Sequence, residues 1–410
     1  MSSTPGPSKG TTALRQAPNA LVAAATSPEA VQAASDAAAY LVRQLEASGY
    51  VLQSFGFPDY GLTIDAILGL DSADVGQDAA AKATDQVEAN LGSYVGTAFG
   101  ELYAGAVAKS LLLALAQGQD PTSFGGLDLI TLLKGREQAD GRYTDDSQWG
   151  DFSNVLGQSI ALIALSRAEG TYSTTALDFL LAQQCADGGF RLNHGADPCV
   201  SDPDATAFAT QALLLLHRGT PETTKALDYL EALVGADGGV GGGTSTTAPN
   251  ANSTGLVAQV LLEGGRTSAA ARAQAFLLSL QYGCTLPEAL RGGIAYDATQ
   301  FATQTKAGSG ATVSDTDRRS TTQAIYGLSG VFLNSVTAAE DAPGVTPMDC
   351  DDPTSTPTPT PTSSARELPA TGASGALETA ALGLVSVFAG LLLLAVGRPR
   401  YLHRHAARRH

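Results

Sequence analysis

Ala176-Leu177-Asp178-Phe179-Leu180, followed by Gln184-Cys185-Ala186-Asp187-Gly188-Gly189-Phe190, returns fifty positions later as Ala226-Leu227-Asp228-Tyr229-Leu230 followed by Asp237-Gly238-Gly239-Val240. Each copy reads as a helix, a glycine turn and a second, more apolar helix. Outward from these copies, the second helices align on a polar residue beside an Ala/Leu run: Asp65, Lys109, Gln158, Gln211, Gln259 and Gln323. Successive members stand 44 to 64 residues apart, the length of a helix pair with its loops. Six pairs are predicted, with second helices over 59–70, 102–116, 151–167, 203–217, 252–262 and 318–334. Such pairs stack into an open solenoid or close into a ring.

Composition agrees with helices packed closely on helices. Apolar residues make up 44% of 410, enough for a sizeable core, while aromatics are only 6% and Ala and Leu abound. The formal charge of −16, with 24 Lys and Arg against 40 Asp and Glu, excludes the clustered positive charge of a nucleic-acid-binding surface. Four cysteines stand at Cys185, Cys199, Cys284 and Cys350. In an exported chain an even count favours disulfides. Three pairings are open, and Cys185 with Cys199 plus Cys284 with Cys350 is the one expected.

The C-terminus carries an address. Leu368-Pro369-Ala370-Thr371-Gly372 precedes an apolar span from Ala380 to Val396, which Arg398, Arg400, Arg404, Arg408 and Arg409 follow. The span is roughly long enough to cross about 30 Å of hydrocarbon as a transmembrane helix, and the arginines form a stop-transfer pattern. In this order the string resembles the Leu-Pro-any-Thr-Gly signal of sortase substrates, the surface proteins of Gram-positive bacteria. The resemblance implies that sortase cleaves after Thr371 and joins it to peptidoglycan, so that the membrane holds the chain only before sorting. Loss of five Arg and one Glu with the tail takes the formal charge from −16 to about −20. Upstream, residues 351–367 are rich in alternating Pro and Thr, which favours an extended stalk. Residues 1–27 read as a disordered or incomplete leader, because Ala20 to Ala25 is the only apolar run there and a signal peptide needs about 7–15 such residues.

Between leader and stalk, residues 28–350 form the expected repeat domain. Gln184-Cys185-Ala186-Asp187-Gly188-Gly189-Phe190, with a partner at Gln281 and Gly292-Gly293-Ile294, resembles the Gln-x-x-Asp-Gly-Gly-Phe repeats of the prenyltransferase and squalene-cyclase (terpenoid cyclase) superfamily. The likeness covers roughly residues 28–337 and is clearest from the third pair onward. It implies an all-α fold, an α/α toroid of six inner and six outer helices.

The same toroid serves several chemistries. Class II cyclases protonate an alkene with the middle Asp of an Asp-x-Asp-Asp-Thr-Ala motif, and Asp202-Pro203-Asp204-Ala205-Thr206-Ala207 places Asp204 there, with Ala205 where the last Asp belongs. The competing explanation is a helix start: Asp202 as cap, Pro203 at the first position, Asp204 on the helix dipole. Ser314-Asp315-Thr316-Asp317 reads as a second copy, which favours the cap. Prenyltransferases hold zinc with Asp, Cys and His, and His194, Cys199 and Asp204 form a possible set. A disulfide partner for Cys199 argues against it, and no metal or other cofactor is expected. Thioester, Gly-x-Ser-x-Gly, Walker and His-Glu-x-x-His motifs are missing from the sequence. Gly238 to Gly243 lacks the Lys of a phosphate loop and reads as a flexible turn.

If the second helices form the inner ring, Lys109, Gln158, Gln211, Gln259 and Gln323 sit at equivalent heights, either lining a pocket or bonding neighbouring helices. Asp151, Asp204 and Asp317 are the acids available to an enzyme, and Trp149 and Tyr143 the aromatics available to a carrier. The sequence therefore points to a secreted, wall-anchored surface protein displaying a toroid that binds or adheres to an unknown surface ligand, rather than to an enzyme. An extracellular enzyme acting on isoprenoids or glycans, or a small-molecule carrier of cobalamin type, is the alternative.

Overall fold

The computed structural model describes residues 26–243 and 246–351. The leader to residue 25, the stalk from residue 352, the Leu368–Gly372 string, the apolar span and the basic tail lie outside the described residues. Among the described residues no helix is long and apolar enough to cross a membrane.

Six helices make an inner ring: α2 Tyr60–Ser72, α5 Ala104–Ala116, α7 Val155–Glu169, α9 Pro203–Leu216, α11 Ala251–Glu263 and α14 Asp315–Ser329. Each packs on the next, and α14 returns to α2, where Tyr326 Oη donates to Asp65 O at 3.1 Å. Around them lie α1 Pro28–Ala47, α3 Gln77–Ala89, α6 Leu129–Lys134, α8 Thr174–Leu181, α10 Pro221–Leu233 and α12 Thr267–Ser279. A short α4 Leu91–Val95 follows α3, and α13 Ala298–Ala307, which buries no residue, precedes α14. The chain is an α/α toroid, and its ring is closed.

The inner helices are buried along most of their length, since both the lumen side and the outer layer must be covered, and all but the polar first half of α14 are rich in apolar residues. Small residues let them approach. A Cβ on Gly255 would stand 2.4 Å from Gln323 O, and one on Gly327 would stand 2.7 Å from Gly255 O, so α11 and α14 touch backbone to backbone. The last predicted helix was too long: Gly330, at φ +71°, ends α14 in a left-handed cap. Residues beyond it cross the base of the ring, where Arg167 donates to Leu333 O and, at 2.7 Å, to Val336 O.

The repeated turns explain themselves in space. Gly188, at φ +94°, lies so close to the next outer helix that a Cβ would sit 2.5 Å from Lys225 O. Gly292 makes the same approach to Asp36 O in α1, the first outer helix. Gln184 Nε2 bonds Gly188 O and Glu222 O, both at 2.9 Å. Gln281 Nε2 bonds Gly292 O at 3.1 Å and Ala33 O at 2.8 Å. Each loop thus clamps the following outer helix, and the final loop clamps the first one, which closes the circle.

Three hairpins lead into inner helices: β1 Gln53–Ser54 with β2 Phe57–Pro58, β3 Phe190–Arg191 with β4 Ser201–Asp202, and β5 Val240–Gly242 with β6 Thr246–Asn250. The glycine run expected to be a flexible turn is therefore paired as far as Gly242. Cys185 is bonded to Cys199 and Cys284 to Cys350. The first staples the loop carrying β3 and β4, and the second ties the segment after the ring to the loop after α12.

Candidate functional site

The inner helices share one way of starting. Asp59, Asn154, Asp202 and Asn250 cap α2, α7, α9 and α11, accepting from Leu62 N, Gly157 N, Ala205 N and Ser253 N at 2.8 to 3.1 Å. Four residues after each cap a side chain accepts from the incoming loop: Thr63 from Leu52 N, Gln158 from Tyr143 N, Thr206 from Phe190 N, Thr254 from Val240 N. In α14 the matching acceptor is Thr321, which takes Ile294 N at 2.9 Å. Counting back four residues, Asp317 stands where Asp202 stands.

The reading of Ser314-Asp315-Thr316-Asp317 as a copy of Ser201 to Asp204 is thus out of register. The sequence pattern matched, but α14 begins one turn early, with Ser314 as cap and Asp317 returning the bond in a capping box. Asp317 is fully buried and satisfied by Tyr282 Oη at 2.8 Å and Gln300 Nε2 at 2.7 Å.

This register sorts the lumen into tiers. Two residues after the cap position come Gly61, Gly105, Leu156, Asp204, Asn252 and Arg319; four further on come Asp65, Lys109, Ile160, Phe208, Leu256 and Gln323. Positions four apart share a helix face. On this face Gly105, Leu156, Asp204, Arg319, Asp65, Lys109, Phe208 and Gln323 keep some exposure, and it is the face turned to the lumen.

The five polar residues expected at one height occupy three levels. Lys109 and Gln323 belong to the lower lumen tier, where Lys109 Nζ meets Asp65 Oδ1 at 2.5 Å and Gly61 O at 3.0 Å. Gln158 turns outward: its Nε2 holds Gly141 O and Ala176 O at 2.9 and 3.1 Å, the clamp that Gln184 and Gln281 make elsewhere. Gln211 and Gln259 sit deeper, fully buried, joined at 3.0 Å and bonded to Leu333 N and Val331 O beneath the ring.

Asp202 and Asp204 have different surroundings. Asp202 is the cap. Asp204 Oδ1 is buried with no hydrogen-bond partner, as is Oδ1 of Asn252, the equivalent residue of the adjacent inner helix. A helix N-terminus normally favours a carboxylate. Here burial, followed by the negative charge of Asp202, pushes the Asp204 carboxyl up to about 7, and a bond from Ser253 only partly opposes them. A second ion pair, Arg319 with Asp59 at 2.9 Å, adds to Asp65 and Lys109.

Exposed apolar side chains gather on the segments that enter the inner helices, and these form the rim. Phe55, Phe57, Phe99, Trp149, Phe152 and Val200 are all 47 to 67% exposed, and each lies on the segment entering α2, α5, α7 or α9. The loop bearing Trp149 and Phe152 is pinned. Asp145 accepts from Ala104 N at 2.8 Å and Phe152 N at 3.1 Å. Asp151 accepts from Asp145 N and pairs with Arg142 at 2.6 Å. Leu102 and Asp146 exchange two backbone bonds of 2.8 Å, and Gln148 reaches Glu101 at 2.8 Å.

Other sequence candidates are placed elsewhere. Tyr143 is buried, its hydroxyl 3.4 Å from Glu137. His194 packs edge-on to Phe179 at 5.1 Å with both ring nitrogens buried and unpartnered, and burial, then Arg142, lowers it to about 4. Cys199 is committed to its disulfide, so it offers His194 and Asp204 no thiolate. Among the described residues no group of three His, Cys, Asp or Glu is placed to hold a metal. Asn252, Arg319, the Asp65–Lys109 pair and the aromatic rim escaped the sequence reading. Asn250-Ala251-Asn252, matching Asp202-Pro203-Asp204 in spacing, was the one signal available.

No family model matches the sequence and no curated protein matches it. Among solved structures, the type II terpene cyclase MstE from Scytonema superposes with a TM-score of 0.52 at 16% identity, over 73% of this chain and 98% of that one. A protein from Actinoplanes gives 0.50 at 16%, over 73% and 98%. A glycosidase gives 0.50 at 12%, over 76% and 98%. At such identities the likeness is one of fold, a terpene-cyclase-like toroid.

Proposed function

We propose that this chain is a wall-anchored surface protein whose toroid carries a proton-donating site at the mouth of its ring, with Asp204 as the acid. One observation carries the acid: a carboxyl at a helix N-terminus, where it should ionise easily, is held protonated up to about 7 with one oxygen buried and unpartnered. A group with its pKa near the working pH both holds a proton and can release it. Ser253 is in place to bond the carboxylate that remains.

The structural neighbours support an enzymatic reading over adhesion. MstE has been solved with geranylgeranyl dihydroxybenzoate as substrate, and acid initiation is common to cyclisation and to glycoside cleavage. Ala205, where the cyclase motif has a further Asp, separates this site from the isoprenoid pattern. Export and attachment rest on Leu368 to Gly372, the apolar span and the arginines after it.

Carbon-detected NMR of the full chain labelled at Asp carboxyls tests the acid. A titration near pH 7 that vanishes in Asp204→Asn is expected; a midpoint near 4 for Asp204 removes the proposal.

A further inference from the structure

The acid site leaves the ligand open, and lumen and rim together narrow it. We infer that the mouth takes a glycan without negative charge, laid across the aromatic rim with its hydroxyls turned to the paired charges below. The inference rests on the reading of the mouth as the working site, and it names the ligand class.

The lumen floor comes first. Asp65, Lys109, Asp59 and Arg319 have side chains 12 to 23% exposed, so water still reaches them. A hydrocarbon seated there would strip that water and return no hydrogen bond, a loss of several kcal/mol for charged groups. Hydroxyls replace the lost bonds one for one, because each both donates and accepts.

The rim supplies the complementary half. A sugar ring has an apolar C–H face and a polar edge, and a flat exposed aromatic beside fixed acceptors matches both. Trp149 and Phe152 are held on a loop with four backbone or carboxylate ties, so little ordering entropy is lost when a ligand covers them. Phe57, Phe99, Trp149 and Val200 stand before four consecutive inner helices. That arc is an extended platform, suited to several linked sugars rather than one. Charge then selects among glycans: with a formal charge of −16, and with Asp145 and Glu101 on the arc beside the Asp146–Arg136 and Asp151–Arg142 pairs, a polyanion is repelled.

Isothermal titration of the full chain with cellohexaose, hexa-N-acetylchitohexaose, a heparin hexasaccharide and geranylgeraniol tests this. At least one of the two neutral hexasaccharides is expected to bind, and Trp149→Ala and Phe152→Ala to weaken it tenfold or more without changing the thermal midpoint, since both side chains are exposed. Binding of geranylgeraniol alone, preference for the heparin fragment, no binding of either neutral sugar, or sugar binding indifferent to both substitutions would overturn the inference. The two claims fail separately: an Asp204 midpoint near 4 with sugar bound removes the acid and keeps the ligand class, and the reverse pair of results does the opposite.

Discussion

Gln281 donates from Nε2 to the carbonyl of Ala33 at 2.8 Å, joining the loop after the last outer helix to the first outer helix across 248 residues of sequence. The same amide bonds Gly292 O, so one buried side chain satisfies two carbonyls at the closure of the ring. Gln281→Ala removes both bonds, leaving Gly292 O without its partner while Ala33 O keeps its helical one, and is expected to destabilise by about 1–3 kcal/mol. Denaturant unfolding monitored by circular dichroism measures it; an unchanged midpoint would mean that the clamp does not close the toroid.

Two inner-ring glycines should respond oppositely. A Cβ on Gly255 meets Gln323 O at 2.4 Å, whereas one on Gly105 meets nothing nearer than Gly157 Cα at 3.7 Å. Gly255→Ala forces α11 and α14 apart and is expected to cost about 3 kcal/mol or more. Gly105→Ala should be neutral or stabilise by up to about 1 kcal/mol through helix propensity. Thermal melts of the two variants that ranked them alike would contradict the backbone contact.

Asp71 gives the base of the ring a pH dependence. Burial, opposed by Gln117 bonding at 2.7 and 2.9 Å and reinforced by the charge of Asp341, raises it to about 8. Because the folded pKa lies above the unfolded one, the native state binds more protons between about 4 and 8. Its contribution is full below the unfolded pKa near 3.8 and is lost as pH rises through the folded value. The thermal midpoint should fall from pH 4 to pH 8, and Asp71→Asn should flatten that fall. Asp341, raised to about 7 by burial and by Asp74, contributes with the same sign. A variant with the wild-type slope would show that Asp71 is ionised throughout.

The bond between Cys284 and Cys350 closes a loop of 66 residues. Its loss as Cys284→Ser should lower stability by about 2–4 kcal/mol, mainly by freeing the unfolded chain. Peptide mapping without reduction should join Cys185 to Cys199 and Cys284 to Cys350; crossed pairs would contradict the structure.

On the wall-anchoring proposal Thr371 is the acyl donor, and Thr371→Ala removes it. Muramidase should then release the protein from walls of cells carrying the native chain and not from cells carrying the variant. Equal release would end the wall-anchoring proposal.

Much of this was legible in the chain. Ala/Leu runs recurring with Asp-Gly-Gly turns specified helix pairs, because glycine at positive φ is required wherever a loop backbone lies against the next outer helix, as Gly188 and Gly292 do. Six helix pairs followed from local pattern, the closed toroid from the resemblance that the Gln-x-x-Asp-Gly-Gly-Phe repeats carry, and the two cysteine pairings were the expected choice among three that the even count left open. Register did not. Asp65, Lys109, Gln158, Gln211, Gln259 and Gln323 look equivalent in a row of sequence, yet their heights depend on where each helix starts, and a start is fixed by a cap and by the loop N–H that it receives. Ser314 in place of Asp317 moves one start by a turn and defeats the alignment of the two Ser-Asp-x-Asp strings. Likewise Asp202 and Asp204 are two similar carboxylates in sequence. Only the tertiary structure makes one a bonded cap and leaves the other with an unpartnered buried oxygen and a pKa raised by burial and by the neighbouring charge, and neither is a property of the residue itself.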